Sequence, residues 1–329
     1  MAKMIPMNMV TPPPELAAIT ALQSKLVSAL RPILPEHALL WEPEDTIPYE
    51  CDGLAAYRRM PLAVALPETE EQVAQILKIC FAMQVPIVPR GSGTGLSGGA
   101  MPISQGLVLS LAKLKKIVSI DPFTRTAVVQ PGVRNLAISE AVAHLGLYYA
   151  PDPSSQIACS IGGNVNENSG GVHCLKYGLT LHNVLKVRGI LMNGEIVEFG
   201  SLAPDSPGLD LLAIVMGSEG MLAVVTEVTV KLIAKPKLAR VIMASFDDIE
   251  KGADAVAAII AAGIIPAGLE MMDKATTRAV EEFVHAGYDL EAETILLCES
   301  DGTPEEVAEE IERMTKVLEQ AGASGIQIS

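Results

Sequence analysis

The sequence has 329 residues, 49% hydrophobic and 19% charged, which is too apolar for a disordered chain and long enough for two or three domains. Its formal net charge of −15 argues against general nucleic-acid binding, which needs a basic surface. The five cysteines form no C-x-x-C pair, and no stretch resembles a signal peptide or a membrane span, so we expect reduced thiols and a cytoplasmic protein.

The first part of the chain is predicted to contain one helix and then a β-α-β unit. Apolar residues at helical spacing predict a helix over residues 15–30. The apolar run at 61–67 predicts a strand, and the segment after it predicts a helix with Thr69 as its N-cap. The short run "VPIVP" is then a second strand, which leads directly into a glycine-rich loop.

That loop, "PRGSGTGLSGGA" at residues 89–100, has three possible ligand-binding interpretations besides an ordinary flexible loop. A P-loop would need a lysine after the glycines, and none is present. Gly93, Gly95 and Gly98 fit the G-x-G-x-x-G fingerprint of dinucleotide-binding folds, and Asp121 follows after roughly 20 residues. However, the segment after these glycines contains Pro102 and then a strand, where that fold requires a helix.

The third interpretation is that the loop itself holds an anion. Successive backbone N–H groups in a glycine-rich turn can form an anion-binding nest, and missing Cβ atoms let phosphate oxygens approach closely. Ser92, Thr94 and Ser97 add hydroxyl donors between the glycines. The pattern of small hydroxyl residues favours a pyrophosphate cradle over a loop without function.

Short strands and one helix, ending near Gly146, are predicted beyond the loop. The segment 151–178 is rich in glycine and asparagine and reads as too polar and too broken for one core element. A hairpin is predicted to turn at Asn193-Gly194, and a boundary falls at 234–237. After it, strands and helices alternate in a pattern typical of a ferredoxin-like α+β domain.

Two other groups of residues have competing interpretations. His173, Cys174 and His182 could suggest a metal site, but their spacing matches no standard zinc pattern, and a cofactor-lining loop explains them equally well. Glu270 and Asp273 could form an acid/base pair, although capping groups or a substrate-facing rim are simpler roles for them.

Three segments, "PRGSGTGLSGGA", "PDPSSQIACSIGGNVNENSGGVHCLKYG" and "GSEGMLAVVTEVTVKL", occur in the order found in a known family. They resemble the FAD-linked 2-hydroxy-acid dehydrogenases of the vanillyl-alcohol-oxidase type, in the branch that includes the D subunits of bacterial glycolate oxidases. The resemblance implies an α+β fold, with a two-subdomain FAD-binding fold followed by a partial ferredoxin-like cap. The expected divisions are an N-terminal helical segment (1–46), the FAD-binding domain (47–234) and the cap (235–329).

The resemblance also implies a set of cofactor-binding residues. Those expected to hold the pyrophosphate of FAD are Arg90, Gly91, Ser92, Gly93, Thr94 and Gly95. Those expected to line the flavin and its ribityl-diphosphate chain are Pro151, Asp152, Ser154, Ser155, Ser160, Gly162 and Gly163, with Gly170, Gly171 and Val225 alongside. Some relatives attach FAD covalently through a histidine, which aligns with Thr94 here, so we expect non-covalent FAD.

The implied reaction is the FAD-dependent oxidation of a small 2-hydroxy acid, glycolate or D-lactate, to the 2-oxo acid. The implied partners are companion flavin and iron–sulfur subunits, through which the protein could be peripheral to the inner membrane. Longer relatives continue into paired histidines before "GDGN" and a later "GEHG", which ligate a divalent metal; neither motif is in this sequence. The cap is therefore expected to be partial, no catalytic residue is assigned, and a non-catalytic FAD-binding module remains the alternative.

Overall fold

The computed structural model describes residues 14–203 and 208–329, and they form two adjoining α/β subdomains and a third α+β unit. Helix α1 (Pro14–Leu30) comes first and packs on the first subdomain. The helix predicted at 15–30 is thereby confirmed.

The first subdomain is a four-stranded sheet with the order β1-β2-β4-β3. Its strands are β1 (Leu39–Leu40), β2 (Ala63–Ala65), β3 (Ile87–Arg90) and β4 (Leu107–Ser110). Strands β2 and β3 both run parallel to β4, and β1 pairs antiparallel with β2. The helices of this part are α2 (Pro43–Thr46) and α3 (Glu70–Met83). Thr69 caps α3 in a capping box with Gln72, as predicted.

The second subdomain is a five-stranded antiparallel sheet with the order β5-β6-β10-β8-β9. Its strands are β5 (Ile117–Asp121), β6 (Thr126–Val129), β8 (Val184–Ile190), β9 (Ile196–Gly200) and β10 (Val224–Lys231). The two-residue strands β7 (Leu147–Tyr148) and β11 (Ile233–Ala234) pair beside it. Its helices are α4 (Asn135–Val142), α5 (Ile161–Glu167), α6 (Cys174–Tyr177), α7 (Thr180–Asn183) and α8 (Leu211–Val215).

The two subdomains are joined by a charged contact. Arg188 on β8 donates from Nε and Nη2 to the carboxylate of Glu70 at 2.9 and 3.1 Å, and the Thr226 hydroxyl donates to the same carboxylate at 2.6 Å. Burial opposes ionisation of Glu70, but the hydrogen bonds from Arg188 and Thr226 outweigh it and lower its pKa. This contact fixes the first turn of α3 against the second sheet.

The third unit, called the cap below, is a four-stranded antiparallel sheet with the order β13-β14-β12-β15. Its strands are β12 (Leu238–Phe246), β13 (Gly268–Asp273), β14 (Thr294–Gly302) and β15 (Gly325–Ile328). Its helices are α9 (Ile249–Ala261), α10 (Lys274–Val284) and α11 (Pro304–Gln320). The strand order is that of a ferredoxin-like fold, with α10 as an additional helix, so the α+β prediction is confirmed.

One local prediction needs correction, and one short helix was missed. The segment 151–178 was expected to lack a core element, but it contains α5, whose Ile161 and Val165 are fully buried. Glycine and asparagine hid this helix because both residues disfavour helix interiors. Helix α8 was not predicted at all, since it spans only five residues. The predicted hairpin at Asn193-Gly194 is present, with Gly194 at φ 81°.

Candidate functional site

The glycine loop leaves the carboxyl end of β3 and returns to its parallel neighbour β4 without forming a helix. Gly93 and Gly98 have φ of 70° and 81°, a region that other residues enter only at a cost. The absence of a helix between β3 and β4 removes the context that a dinucleotide-binding fingerprint requires. A loop that binds an anion through its own backbone is the interpretation that remains.

The loop forms one wall of a cleft. The opposite wall comes from the chain around α5 and from one residue after α8. Residues from these segments that line the cleft are Ser155, Cys159, Ser160, Gly163, Asn164, Asn166, Glu167, Ser169 and Glu219. Five predicted cofactor residues of the loop line it as well, namely Gly91, Ser92, Gly93, Thr94 and Gly95. The cleft therefore brings the first two sequence motifs face to face.

Polar atoms in and beside this cleft lack partners. The hydroxyl of Ser160 makes no hydrogen bond, although the residue is only 2% exposed. Asn166 Oδ1 and Ser218 Oγ are likewise buried without a partner. An unpaired buried polar atom costs about 1–3 kcal/mol, so such atoms are rare in proteins. Their position indicates a site that a polar ligand completes.

The side chain of Arg90 does not line this cleft. It folds back beneath the loop, where it donates to the carbonyl oxygen of Cys51 at 2.7 Å and lies over the ring of Tyr49. A Cβ on Gly93 would overlap the Arg90 guanidinium, so the loop and this side chain are packed together. Arg90 thus supports the loop, and the group it could offer a ligand is its backbone.

Three carboxylates, Asp52, Glu167 and Glu219, lie along the cleft, and no lysine or arginine side chain lines it in the described residues. Burial raises the pKa of Glu167, and the charges of Glu219 and Asp52 raise it further. A phosphate group here must therefore be bound by backbone N–H groups and hydroxyls. The carboxylates suit the opposite role, that of accepting hydrogen bonds from ligand hydroxyl groups.

Other predicted site residues are held by contacts within the protein. A Cβ on Gly162 would lie 2.5 Å from Pro131 Cβ, one on Gly170 would lie 2.8 Å from Leu179 Cδ2, and one on Gly171 would overlap the Asp152 backbone. Val225 is fully buried in the core of the second sheet. Pro151 is also buried, whereas Ser154 is exposed. These positions stay predictions for cofactor contact, and for the three glycines close packing already explains the residue type.

Asp152 lies at a second cavity, between the second subdomain and the cap. There Asp152 Oδ2 lies 2.6 Å from His173 Nδ1, and Glu299 of β14 lies 3.4 Å from His173 Nε2. Beside them, Asp301 accepts from Lys176 at 2.6 Å and from the Tyr177 hydroxyl at 2.7 Å. Burial raises the pKa of Tyr148 in this cavity wall to about 12.

His173, Cys174 and His182 have separate surroundings. His173 faces two carboxylates, and His182 Nδ1 accepts from the backbone N–H of Leu179 at 3.0 Å. Within the described ranges, no three His, Cys, Asp or Glu side chains are placed to hold a metal ion. Glu270 and Asp273 lie on β13, and Asp273 caps α10 through Thr276. The capping role proposed for Asp273 is confirmed.

Several cleft residues were not among those predicted. Asp52, Asn166, Glu167 and Glu219 line the cleft but carry no recognisable spacing of their own. Asn166 and Glu167 lie in "NENS" and Glu219 lies in "GSEG", and both strings are parts of the segments that carry the family resemblance. The segments therefore pointed to this part of the site, although no spacing identified the individual residues. All five cysteines are free, as expected. Across the described residues, no helix has the length and apolar character needed to cross a bilayer.

Comparison with known protein families gives two matches that together span most of the chain. The family described as "FAD binding domain" matches residues 61–200, and "FAD linked oxidases, C-terminal domain" matches residues 235–329.

Similar curated proteins include glycolate oxidase subunit GlcD of Escherichia coli K12, 58% identical over 93% of this chain and 62% of that protein. GlcD of Bacillus subtilis 168 is 43% identical over 85% of this chain and 60% of its own length. A D-lactate dehydrogenase of Anaerostipes hadrus is 32% identical over 93% of this chain and 66% of that protein. The chain thus spans about three fifths to two thirds of these relatives.

Two solved structures share the fold. p-Cresol methylhydroxylase with substrate bound superimposes with a TM-score of 0.79 at 21% identity, over 94% of this chain and 66% of that one. Alkyldihydroxyacetonephosphate synthase superimposes with a TM-score of 0.78 at 19% identity, over 91% of this chain and 60% of that one. At these identities the likeness concerns the fold alone, and it agrees with the expected vanillyl-alcohol-oxidase type architecture.

Proposed function

We propose a function for this chain on the basis of its family. The chain belongs to the FAD-linked oxidase family that includes glycolate oxidase subunit GlcD. The proposed function is oxidation of a small 2-hydroxy acid, glycolate or D-lactate, to the 2-oxo acid, with FAD as the electron acceptor. The observation that carries the proposal is the cleft between the glycine loop and α5, in which the Ser160 hydroxyl is buried without a partner.

The residues of the cleft fit the polar part of FAD. The loop from Gly91 to Gly95 presents backbone N–H groups where side chains would block an approaching diphosphate. Ser160 and Asn166 offer buried polar atoms that need partners, and Glu167 and Glu219 can accept hydrogen bonds from ribose or ribityl hydroxyls. We propose that the diphosphate lies along the loop and that the sugar hydroxyls face the carboxylates.

FAD, when bound, supplies a two-electron acceptor, and the protein supplies binding and orientation. The cavity beside Asp152 extends from the 151–160 loop to the cap and is lined mainly by apolar groups such as Leu136, Leu147 and Tyr148. Such a lining suits a flat aromatic ring system. We propose that the isoalloxazine ring lies against this part of the loop.

Thr94 lies in the loop where some relatives have a histidine joined to the cofactor, and a threonine offers no such nucleophile. We therefore propose that the FAD is held without a covalent bond. Companion flavin and iron–sulfur subunits, and peripheral attachment to a membrane through them, belong to the same proposal. No step is assigned to a metal ion.

The function can be tested on chain loaded with FAD under anaerobic conditions. Glycolate, D-lactate and L-lactate are added separately, and the visible absorption of the flavin is followed. The proposal predicts bleaching with glycolate or D-lactate and little with L-lactate. Bound flavin that none of these acids bleaches would contradict the proposed oxidation and favour a non-catalytic FAD-binding module.

A further inference from the structure

His173 lies where residues 172–177 meet the cap. Val172 packs so closely on β13 that a Cβ on Gly268 would lie 2.9 Å from Val172 Cγ1. Helix α6 contacts the same strand. This segment of the second subdomain is therefore a docking surface for the cap, and His173 is its first charged residue.

Both ring nitrogens of His173 face carboxylates from different parts of the protein. Nδ1 lies 2.6 Å from Asp152 of the 151–160 loop, and Nε2 lies 3.4 Å from Glu299 of the cap. The backbone N–H of His173 also donates to Asp152 Oδ1 at 3.2 Å. Only a protonated imidazole donates at both nitrogens, so the ring serves as a cationic bridge.

The electrostatic surroundings support this protonation state. Hydrogen bonds to Asp152 and then to Glu299 raise the pKa of His173 to about 10. The other charged groups nearby, Lys176 and Asp301, neutralise one another at 2.6 Å. The neighbouring phenols of Tyr148 and Tyr177 are neutral, because burial raises the pKa of each.

The loop that contains Asp152, the partner of His173, also forms part of the wall of the cleft proposed to bind FAD. Ser155, Cys159 and Ser160 line that cleft, while Asp152, at the start of the same loop, lies against His173. Internal hydrogen bonds stiffen the turn between them, with Gln156 N–H donating to Pro153 O at 2.7 Å and Cys159 N–H to Ser155 O at 2.8 Å. These bonds connect the part of the loop that contacts His173 to the part that lines the cleft.

We propose that His173 is a positioning residue that couples FAD binding in the cleft to docking of the cap, by bridging Asp152 of the cofactor loop to Glu299 of β14. FAD that orders the loop fixes Asp152 and strengthens the bridge, and a docked cap fixes His173 and the loop for FAD. Coupling of this kind is reciprocal, because each event must favour the other by the same factor. The inference rests on the proposed function, since it takes FAD as the ligand of the cleft.

The central test measures FAD affinity in a variant that is altered only in the cap. Glu299→Gln keeps the shape of the side chain and removes its charge. Glu299 does not line the cleft proposed for the diphosphate, but it does line the cavity proposed for the isoalloxazine ring, so ADP, which lacks that ring, is titrated beside FAD and should show the same loss. We expect FAD, titrated by the quenching of its fluorescence, to bind at least about fivefold more weakly, the lower end of typical couplings. His173→Gln should show the same loss, and adding Glu299→Gln to it should cause little further loss.

The matched control is Glu293→Gln, which removes an ion pair with Lys274 that lies wholly within the cap. It should leave the FAD affinity unchanged, because that pair does not reach the cofactor loop. The effect of FAD on docking of the cap is measured by limited trypsin digestion after Lys237, next to the start of β12. Trypsin does not cleave after Lys235, because Pro236 follows it. FAD should slow this cleavage in the wild-type chain and much less in His173→Gln, an effect that a merely structural histidine would not produce.

The outcomes separate the two proposals. If the wild type, Glu299→Gln and His173→Gln all bind FAD with the same affinity, the coupling is overturned and the proposed function is left intact. Wild-type chain that takes up no FAD would overturn the proposed function and the coupling with it. A fivefold loss in both variants, with Glu293→Gln unchanged, supports the bridge.

Discussion

The cap and the cleft treat their polar groups in opposite ways. Helices α9, α10 and α11 of the cap begin at Asp248, Asp273 and Thr303, each of which accepts a hydrogen bond from the first turn. Helix α5 of the cleft has Ser160 at the same N-cap position, but the Ser160 hydroxyl makes no hydrogen bond. Most buried polar groups of the cap have partners, with Thr277 Oγ1 on α10 as an exception, whereas the cleft and its edge contain three such atoms without partners, on Ser160, Asn166 and Ser218.

This difference separates residues that stabilise the fold from residues whose polar groups lack a partner within the protein and are available to a ligand. In the cap, buried Ser300 donates to Glu310 at 2.7 Å and buried Thr294 donates to the carbonyl of Met272 at 2.9 Å. A substitution there should lower the free energy of unfolding. In the cleft, the same kind of substitution should spare stability and weaken FAD binding, and the predictions below test this contrast.

The largest effect is expected in the cap core. Phe246 is fully buried between the sheet and its helices, so Phe246→Ala should lower the free energy of unfolding by about 3–5 kcal/mol. Phe283 in the same unit is 88% exposed, and Phe283→Ala is the matched control with little expected change. Urea unfolding measures both, and equal midpoints for the two variants would show that the cap has no core of its own.

Two glycines sharpen the comparison within the FAD-binding part. A Cβ on Gly95 would have no protein atom closer than 3.7 Å, whereas one on Gly132 would lie 2.6 Å from the Leu111 carbonyl oxygen. We expect Gly95→Ala to weaken FAD binding about tenfold, or about 1.4 kcal/mol, because the methyl group occupies space that the diphosphate needs.

The same substitution at Gly132 should lower the urea midpoint of the protein without FAD, because the added methyl group strains the backbone. FAD titration and urea unfolding of both variants provide the measurement. Should Gly95→Ala bind FAD as tightly as the wild type, the diphosphate does not approach the loop there.

Ser160 and Ser300 form a second matched pair, with a smaller effect. Ser160→Ala removes an unpartnered buried hydroxyl, so the stability of the protein without FAD should hold or rise, while FAD binding should weaken about two- to tenfold through one lost hydrogen bond. Ser300→Ala removes a satisfied hydroxyl and should cost about 1 kcal/mol of stability with no change in FAD affinity. Equal stability losses in both would contradict the contrast between cap and cleft.

A further expected effect is a pH dependence that comes from His173. Because its pKa is raised from 6.5 to about 10 in the folded protein, its stabilisation is complete below pH 6.5 and is lost as the pH rises toward 10. Urea midpoints at several pH values between 6.5 and 10 should fall more steeply in the wild type than in His173→Gln. Parallel pH profiles for the two proteins would mean that the ring is not a cation in the folded state.

The sequence predicted best where a local rule dominates. Thr69 with Gln72, and Asn193 with Gly194, determine a helix start and a turn through contacts within a few residues. Helix α5 was missed because its stability comes from burying Ile161 and Val165, which overrides the poor helix propensity of its glycines and asparagines. The folding of Arg90 beneath the loop, and the bridge between His173 and Glu299, could not be predicted, because they depend on partners 39 and 126 residues away in sequence.

The most direct test of the central claim, that the cleft of the glycine loop and α5 binds FAD without a covalent bond, is a single absorption experiment. The chain is saturated with FAD, freed of excess by gel filtration, and precipitated with acid, and flavin is measured in pellet and supernatant. We expect one flavin per chain before precipitation, all of it in the supernatant afterwards, and much less retained by Gly95→Ala. A colourless protein, a yellow pellet, or full retention by Gly95→Ala would contradict it.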